Sequence, residues 1–433
     1  MNIRRATPEQ RGWYFYDFAN SAFASTVLTL FLGPYLTALA KAAAGADGHV
    51  HPLGLSIEPR SIWSFCISLS VVSQVLTLPI VGAIADHGRK KKQLLALFAY
   101  LGAGATLCMY FLQGNRYLLG CLLFFLANLA FGCANVVYNS FLPEIAPAGE
   151  RDSVSSTGWA LGYLGGGLLL VLNLILYSNA GKFGVAESMA VRISLASAGL
   201  WWAIFTLIPL RALKNRGQSQ PRQGGLFRAA FGQLLHTIRQ LPRYPQTLTF
   251  LVGYLLYNDA IQAIIALSGQ FGSDELKMPM GDLTTAILMV QFVAAAGAAL
   301  FNQLAARITA KHAIMVALVC WSGILIYAYA GVNSSREFFL MAAMVGLIMG
   351  GSQALSRSLY SLMIPKGCEA EYYSLYEVSD KGTSWLAPLI FGVVLQVTRN
   401  YRVAILSLIV FFVLGLAVLT RVNVDKAARE AQR

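Results

Sequence analysis

Charged residues are scarce in this 433-residue chain, since Asp, Glu, Lys and Arg make up only 12% of it. Soluble globular proteins carry about 25%. A packed soluble domain cannot cover a sequence that is 56% hydrophobic with so few polar side chains. The composition therefore excludes a soluble enzyme of several domains, and it equally excludes a disordered chain.

Cysteine and histidine are also rare, with six and five residues respectively. The cysteines lie singly, mostly in apolar stretches, so we expect neither disulfides nor a metal site. His49 and His51 have no further ligand nearby in the sequence, and we expect them to be solvated. No phosphate-cradling loop or nucleophile–base set stands outside the apolar segments. We therefore predict that the chain is not an enzyme and that it has no cofactor.

Long apolar runs fill most of the sequence. A helix needs about 20 mostly apolar residues to cross the hydrocarbon layer of a bilayer. Twelve stretches meet this criterion, and they predict an all-α polytopic membrane protein. The predicted spans lie near residues 13–39, 61–85, 93–113, 117–142, 157–178, 188–210, 247–270, 282–306, 311–332, 337–363, 374–397 and 401–421.

The basic residues indicate the orientation of these spans. If both termini lie inside, the inner segments carry 22 of the 33 Lys and Arg residues, and the outer segments carry nine. Cytoplasmic loops of membrane proteins carry such an excess. We therefore expect both termini to be cytoplasmic, most simply in a bacterial inner membrane. The net charge of +13 then reports orientation and not a nucleic-acid partner.

The chain divides into two similar parts. Span 4 ends at Pro143 and span 10 at Pro365, a shift of 222 residues, and a Glu follows each proline before the next helix. We predict two pseudo-symmetric six-helix halves, residues 1–210 and 247–433, in a parallel repeat. The segment 211–246 between them holds seven Lys and Arg residues and no Asp or Glu. It is either a linker that enforces orientation or a surface for anionic lipid head groups.

A compact motif marks the junction of spans 2 and 3. Gly82 permits close helix approach and Gly88 a tight turn, while Asp86 can pair with Arg89 or cap a neighbouring helix. The motif resembles the loop signature G-x-x-x-D-x-G-R-K of the major facilitator transporters. The resemblance implies a gate that locks the cytoplasmic side, with the start of span 11 facing this loop. We therefore assign gate roles to Gly82, Asp86, Gly88, Arg89, Glu377, Asp380 and Lys381.

Three further segments narrow the resemblance. Span 1 opens with Trp13 to Ser21, span 7 contains Tyr257-Asn258-Asp259, and span 10 carries Gly350 to Ser358. Together they resemble the Atg22-like branch of the major facilitators, whose fungal vacuolar members are regarded as amino-acid effluxers. The glycines of span 5, from Gly158 to Gly167, resemble an exporter-associated pattern in which Tyr163 replaces a proline. They predict close packing on a neighbouring helix.

Ionisable residues inside spans are candidates for function. Asp259 lies half-way along span 7, where an unpaired charge costs at least about 2.5 kcal/mol. We expect it to carry a proton, unless it makes a static bond to a neighbouring polar helix. Asp17, near the start of span 1, is either a site for a proton or a substrate amine, or an interfacial carboxylate paired with a basic neighbour.

Arg357 presents a planar, permanently charged fork that suits a carboxylate or a phosphate. Under the shift of 222 residues it falls on Asn135. Polar residues on two equivalent helices predict a substrate site on the repeat axis near mid-membrane. The alternative is a structural ion pair of Arg357 with Asp259 or Glu377. The predicted lining comprises Asn20, Asn135, Asn139, Tyr254, Asn258, Gln262, Gln353 and Arg357.

These features predict a proton-coupled transporter, working as a monomer among membrane lipids. Its expected cargo is a small polar metabolite such as an amino acid or a peptide-like zwitterion, with export as a possible direction. One alternative is an exporter of apolar or cationic compounds, which the 12% aromatic content permits. The other is a lipid-handling or non-transporting membrane protein.

Overall fold

The structure is a computed structural model, and it describes residues 6–87, 90–147, 151–216, 239, 241–364, 372, 375–376, 379 and 386–431. Helices account for all the apolar segments within these ranges. Between the first two helices, Val50 and Ile57 form an isolated antiparallel bridge. The helices are α1 Pro8–Ala42, α2 Ile62–His87, α3 Lys91–Cys108, α4 Tyr117–Asn139, α5 Arg151–Ser178, α6 Glu187–Ala212, α7 Pro245–Gln270, α8 Met280–Ile308, α9 Ala310–Ala330, α10 Ser335–Ser361, α11 Leu386–Thr398, α12 Tyr401–Thr420 and α13 Val424–Ala431.

Eleven of these helices, α1–α10 and α12, are long and apolar enough to cross a membrane. Their outward surfaces are apolar too: Leu69, Leu76, Leu97 and Val319 are each more than half exposed. Such side chains suit a lipid environment and not water. The predicted span 374–397 is described as a continuous helix only over α11. The all-helical membrane architecture predicted from the sequence is confirmed.

The start of α1 is fixed by a reciprocal cap. The hydroxyl of Thr7 accepts a hydrogen bond from the Gln10 N–H at 3.2 Å, and the Gln10 side chain accepts one from the Thr7 N–H at 2.9 Å. This capping box satisfies two backbone donors that the helix itself leaves free. The amide nitrogen of Gln10 also donates to the Ile145 carbonyl at 3.0 Å. The beginning of α1 is therefore held against the segment that follows α4.

The middle of α1 is π-helical, from Phe23 to Phe31. The Leu32 N–H bonds to the Val27 carbonyl five residues back, and the Thr29 hydroxyl donates to the Ala24 carbonyl at 2.9 Å, again five residues back. π-Helical turns are rare and occur frequently at functional sites. Asp17 and Asn20 of α1 lie before this segment.

Glycines bring neighbouring helices into backbone contact, as two crossings illustrate. A Cβ atom on Gly165 of α5 would lie 2.3 Å from the Phe18 carbonyl oxygen of α1. On Gly350 of α10 it would lie 2.1 Å from the Ala294 carbonyl oxygen of α8. Helices packed in lipid use small residues in this way, because close approach supplies dispersion contacts. The close packing predicted for the glycines of span 5 is confirmed, and α1 is the neighbour.

Corresponding helices in the two parts of the chain repeat one contact. Arg192 of α6 donates to the Tyr110 carbonyl just after α3, at 3.4 Å. Arg402 of α12 donates to the Tyr329 carbonyl near the end of α9, at 3.3 Å. In each part an arginine at the start of the sixth helix therefore holds the end of the third helix.

Candidate substrate site

A polar cluster forms where α1 begins and where α4 and α10 end. We define the polar cluster as Trp13, Asp17, Tyr138, Asn139 and Arg357. Three helices supply it, two from the first part of the chain and one from the second. Trp13 is fully buried, and Tyr138, Asn139 and Arg357 are each more than nine-tenths buried.

Arg357 joins the two parts of the chain inside this cluster. Its Nη2 donates to the Asn139 Oδ1 at 2.6 Å, and its guanidinium carbon lies 5.6 Å from the centre of the Trp13 ring. A guanidinium within about 6 Å of an aromatic centroid is attracted by the ring's quadrupole. The arginine that the sequence singled out therefore lies at a contact between α10 and the pair α1 and α4.

The contact lies nearer the helix ends than the sequence predicted. Asn139 is the last residue of α4, and Arg357 lies four residues before the end of α10. At 1.5 Å per residue, Arg357 is about 6 Å from the helix end. The sequence predicted a site near mid-membrane because two equivalent helices carry polar residues at the repeat axis. In the structure these helices meet at residues close to their ends.

Trp13 and Tyr138 hold each other rigidly. Their rings stack at a centroid distance of 4.4 Å with an angle of 14° between the planes. The Trp13 indole N–H also donates to the Tyr138 carbonyl at 3.0 Å. The Tyr138 hydroxyl in turn donates to the Asp17 Oδ2 at 2.8 Å. Asp17 is half-buried, and the positive charge of Arg357 is close enough to attract its carboxylate.

Predicted polar residues make two further contacts one helical turn deeper. The Asn20 amide donates to the Asn135 Oδ1 at 2.8 Å, which joins α1 to α4. The Tyr163 hydroxyl of α5 donates to the Gln353 Oε1 of α10 at 3.1 Å. Tyr163 is the residue that replaces the expected proline in span 5. Its hydroxyl makes a side-chain hydrogen bond between the two parts of the chain, which a proline could not make.

Asp259 belongs to a second polar group, half-way along α7. It is 1% exposed, and its Oδ2 accepts a hydrogen bond from the Ala387 backbone N–H at 3.0 Å. Ala387 is the second described residue of α11, so this bond joins the middle of α7 to α11. The Oδ1 of Asp259 has no hydrogen-bond partner among the residues that the structure describes. Asp259 therefore bonds to the backbone of α11, which is close to the alternative of a static bond to a neighbouring polar helix.

The remaining predicted residues of α7 accompany Asp259. Asn258 is 1% exposed, and Gln262 is half-buried one turn further along. Tyr254 is buried and stacks on Tyr376 at 4.4 Å. The predicted lining residues thus form two groups. One group is the polar cluster with the contacts one turn deeper, and the other lies on α7 around Asp259. The two groups meet at α10, where the Tyr257 hydroxyl lies 2.7 Å from the Ser356 hydroxyl.

Most of the predicted gate lies outside the described residues. Gly82 is buried in α2 and Asp86 is in the same helix, but the Asp86 side chain is not described. Gly88, Arg89, Glu377, Asp380 and Lys381 fall outside the described residues.

Other charged residues hold the same end of the bundle together. Lys91 at the start of α3 pairs with Glu144, which follows α4, at 2.8 Å. Arg216, just after α6, pairs with Glu9 at the start of α1 and also donates to the Glu144 carbonyl at 2.7 Å. The first residues of the basic segment 211–246 are therefore attached to the ends of α1, α3 and α4.

Sequence reasoning missed Trp13 and Tyr138 as site residues. An aromatic residue in an apolar helix carries no charge signal, and it is ordinarily read as core. Spacing offered one indication, because Trp13, Asp17 and Asn20 recur at intervals of four and three and so share a face of α1.

An apolar cavity lies apart from the polar cluster. It has an empty volume of about 780 Å³, including the open space at its mouth. Side chains of α7, α8, α9, α10 and α12 line it, together with Thr29 of α1. Its polar side chains are Thr29, Ser268 and Gln291, and the remainder of the lining is apolar.

The sequence profile of a family described as "Vacuole effluxer Atg22 like" matches residues 5–432. The chain is 29% identical over 433 residues to an uncharacterized MFS-type transporter, YxiO, of Bacillus subtilis, and the alignment covers 100% of this chain and 98% of that protein. It is 27% identical over 465 residues to autophagy-related protein 22 of Yarrowia lipolytica, covering 88% of this chain and 78% of that protein.

Solved structures with similar folds include the Escherichia coli fucose:proton symporter FucP, with a TM-score of 0.64 and 13% identity over 96% of this chain and 98% of that one. A bacterial homologue of the iron transporter ferroportin, in an outward-facing state, has a TM-score of 0.65 at 13% identity with the same coverage. At this level of identity the likeness concerns the fold alone. The major facilitator fold predicted from the sequence is confirmed.

Proposed function

Because the chain belongs to the Atg22-like family of major facilitator transporters, we propose that it moves an amino acid or a peptide-like zwitterion by alternating access. It is an integral membrane transporter and not an enzyme. The substrate class, the coupling ion and the direction of export are the parts that we propose.

Arg357 is the observation that carries this proposal. A buried arginine inside a membrane protein is expensive and marks a functional site by default. Its contacts include a neutral amide, Asn139, and the ring of Trp13. A substrate carboxylate can replace both of these, because it offers two oxygens to the planar fork in a charge-assisted pair. Arg357 is therefore the proposed partner of the carboxylate.

The proposed lining extends inward from Arg357. Asn20 with Asn135, and Gln353 with Tyr163, offer amide and hydroxyl groups one turn deeper. Asn139 completes the lining at the arginine, and Tyr254, Asn258 and Gln262 would contribute from α7. Amide groups both donate and accept hydrogen bonds, so such a lining suits a zwitterion whose two ends differ in sign.

Asp17 and Asp259 are the proposed proton carriers. The Asp259 carboxylate accepts a backbone N–H of α11, so a proton on it weakens a bond that fixes that helix. Asp17 lies beside Arg357 and competes with a substrate carboxylate for the same positive charge. Protonation of either group is thereby connected to a contact between helices, which is what coupling requires.

In this proposal, residues 1–210 and 247–433 rock against each other and the segment 211–246 links them. The gate at the inner end comprises Gly82, Asp86, Gly88 and Arg89, facing Glu377, Asp380 and Lys381. The transporter works as a monomer in a bacterial inner membrane, with both termini cytoplasmic. Membrane lipids and a proton are its other partners, and its direction is export.

Counterflow in proteoliposomes tests the role of Arg357. Arg357→Gln should reduce amino-acid counterflow by about tenfold to a hundredfold, which corresponds to the loss of a charge-assisted hydrogen bond. Arg357→Lys keeps the positive charge but not the planar fork, so its counterflow rate should lie between those of the wild type and Arg357→Gln. Arg60→Gln, an exposed arginine paired loosely with Glu58 at 3.8 Å, is the control. Normal counterflow with Arg357→Gln contradicts the carboxylate role.

The apolar cavity favours a second candidate, an exporter of apolar compounds. Small-molecule sites are mostly apolar with few polar groups, and the lining of this cavity has that character. Met341→Trp, which fills the cavity, should abolish stabilisation of the protein by apolar drugs if they bind there. If amino acids fail to bind while drugs bind and lose affinity on this substitution, the second candidate replaces the first.

A further inference from the structure

One wall of the polar cluster has the chemistry of a receptor for a cation. We propose that Trp13, Asp17, Tyr138 and Asn139, here called the cation cup, bind the ammonium group of the substrate, and that Arg357 fills the cup in its place when the two halves are closed. This inference rests on the proposed function, since it names the second chemical group that the same site recognises. It makes Arg357 an internal substitute for the substrate's cation.

The aromatic part of the cation cup is preorganised. The Trp13 ring is fixed by its stack on Tyr138 and by its indole N–H, which donates to the Tyr138 carbonyl. Neither ring therefore loses much conformational freedom when a cation arrives. Tryptophan is also the best of the aromatic side chains for holding a cation over its face. The guanidinium of Arg357 uses the ring in this way.

The polar part of the cation cup supplies acceptors. Asp17 lies one helical turn after Trp13, and Tyr138 fixes its carboxylate by donating to Oδ2. This leaves Oδ1 to accept from a cation. The Asn139 Oδ1 already accepts from a cationic N–H, that of Arg357. An ammonium group has three donors and no acceptor, so two oxygens and a ring face match its requirements.

The two sides of this contact belong to different halves of the chain. The cation cup is built from α1 and α4, whereas Arg357 is carried by α10. Any rocking motion that separates the halves withdraws the arginine from the cup. The exposed carboxylate and ring then take up either water or another cation. The ammonium of a zwitterion restores the lost contacts, while its carboxylate reaches toward the withdrawn guanidinium.

This exchange predicts how ligands should be discriminated. In the empty protein Arg357 competes with amines for the cup, so removing its charge should improve the binding of an amine. A purely structural latch predicts the opposite, because its loss would weaken the site for every ligand. The sign of one affinity change therefore separates the two explanations.

The experiment measures binding of isoamylamine, which is leucine without its carboxylate, to the purified full chain by thermal stabilisation. Arg357→Gln should bind the amine about tenfold more tightly than the wild type. Adding Asp17→Asn or Trp13→Leu to Arg357→Gln should remove that gain, whereas adding Trp13→Phe should keep most of it. An unchanged or weaker affinity in Arg357→Gln overturns the proposal.

A second measurement keeps the test open if Arg357→Gln does not fold. In Trp13→Leu, isoamylamine should inhibit leucine counterflow about tenfold less well. Inhibition by 4-methylpentanoate, which is leucine without its ammonium, should be unchanged. Trp63→Leu removes a tryptophan that packs on Phe124 away from the cluster, and it should alter neither ratio. Equal weakening of both inhibitors in Trp13→Leu refutes the cation cup.

The outcomes also separate this inference from the function on which it rests. If liposomes show no transport of any zwitterion but Arg357→Gln gains affinity for isoamylamine, the cation cup stands and the amino-acid proposal falls. If leucine is transported but Arg357→Gln gains no affinity for the amine, the transport proposal stands and the cation cup falls.

Discussion

The crossing of α1 and α5 allows a quantitative prediction. A Cβ atom on Gly165 would lie 2.3 Å from the Phe18 carbonyl oxygen and 2.9 Å from the Phe18 Cα. Carbon–oxygen contacts between packed helices are about 3.3–3.6 Å. Gly165→Ala must therefore move α5 away from α1 by about 1 Å. A gap of this size forfeits about a quarter to a half of each dispersion contact along the interface.

The free-energy change follows from two opposing effects. Overpacking of this kind costs about 1–3 kcal/mol. Alanine is a better helix former than glycine by about 1 kcal/mol, which offsets part of that cost. We expect Gly165→Ala to lower the free energy of unfolding by up to about 2 kcal/mol. Transport should fall by about tenfold or more, because α5 also touches α1 at Asp17 and Trp13, through Gly158.

Gly104→Ala is the matched control. Gly104 lies in α3, and a Cβ atom there would meet nothing within 4 Å. The same substitution should therefore stabilise the protein by about 0.5–1 kcal/mol through helix propensity alone. Both variants can be unfolded in mixed micelles by titration with a denaturing detergent and compared in counterflow. Equal effects of the two substitutions, or a Gly165→Ala protein with wild-type stability and transport, contradict the steric reasoning.

Three further predictions concern charged groups. Asp259→Asn removes the carboxylate that accepts the Ala387 N–H of α11, so pH-driven uptake into liposomes should be lost while counterflow at constant pH persists. Retained pH-driven uptake would contradict a proton-carrying role for Asp259. Lys91→Met leaves the carboxylate of Glu144 without its cation in a mostly buried pair, which should cost about 3 kcal/mol of unfolding free energy. Adding Glu144→Leu should recover most of this loss, and a double variant as unstable as the single one contradicts the pairing. The His49 backbone N–H donates to Asp47 and holds the pKa of that carboxyl below its ordinary value. Hydrogen-exchange protection of this loop should be full above about pH 4 and fall as the pH drops below it, and Asp47→Ala should abolish that dependence.

The helices were predictable because the membrane imposes a simple rule. A span must be long, apolar and internally hydrogen-bonded, so hydropathy alone places most helix ends to within a few residues. The glycines of α5 were readable for a similar reason, since small residues in lipid-embedded helices have few other uses. Arg357 stood out because a charge in such a segment is costly.

The partners of these residues could not be predicted from the sequence. Asn139 and Arg357 are 218 residues apart, and no local pattern connects them. Asp259 bonds to a backbone N–H, a group that every residue except proline carries, so the sequence gives no sign of it. Trp13 and Tyr138 look like core residues until a cation is seen over the ring.

The π-helical segment of α1 has a mechanical consequence. Before this segment, the Trp13 ring lies 5.6 Å from the guanidinium carbon of Arg357 in α10. Within the segment, near its C-terminal end, a Cβ atom on Gly269 of α7 would lie 3.3 Å from the Thr29 carbonyl oxygen. One helix thus contacts α10 near its start and α7 further along. A π turn holds more residues than an α turn. The side chains after the π-helical segment therefore point in a different direction around the helix axis than they would in a uniform α-helix. Interconversion of the two geometries would twist one contact face against the other without breaking the helix. In that respect α1 is a torsional coupling between its contact with α10 and its contact with α7.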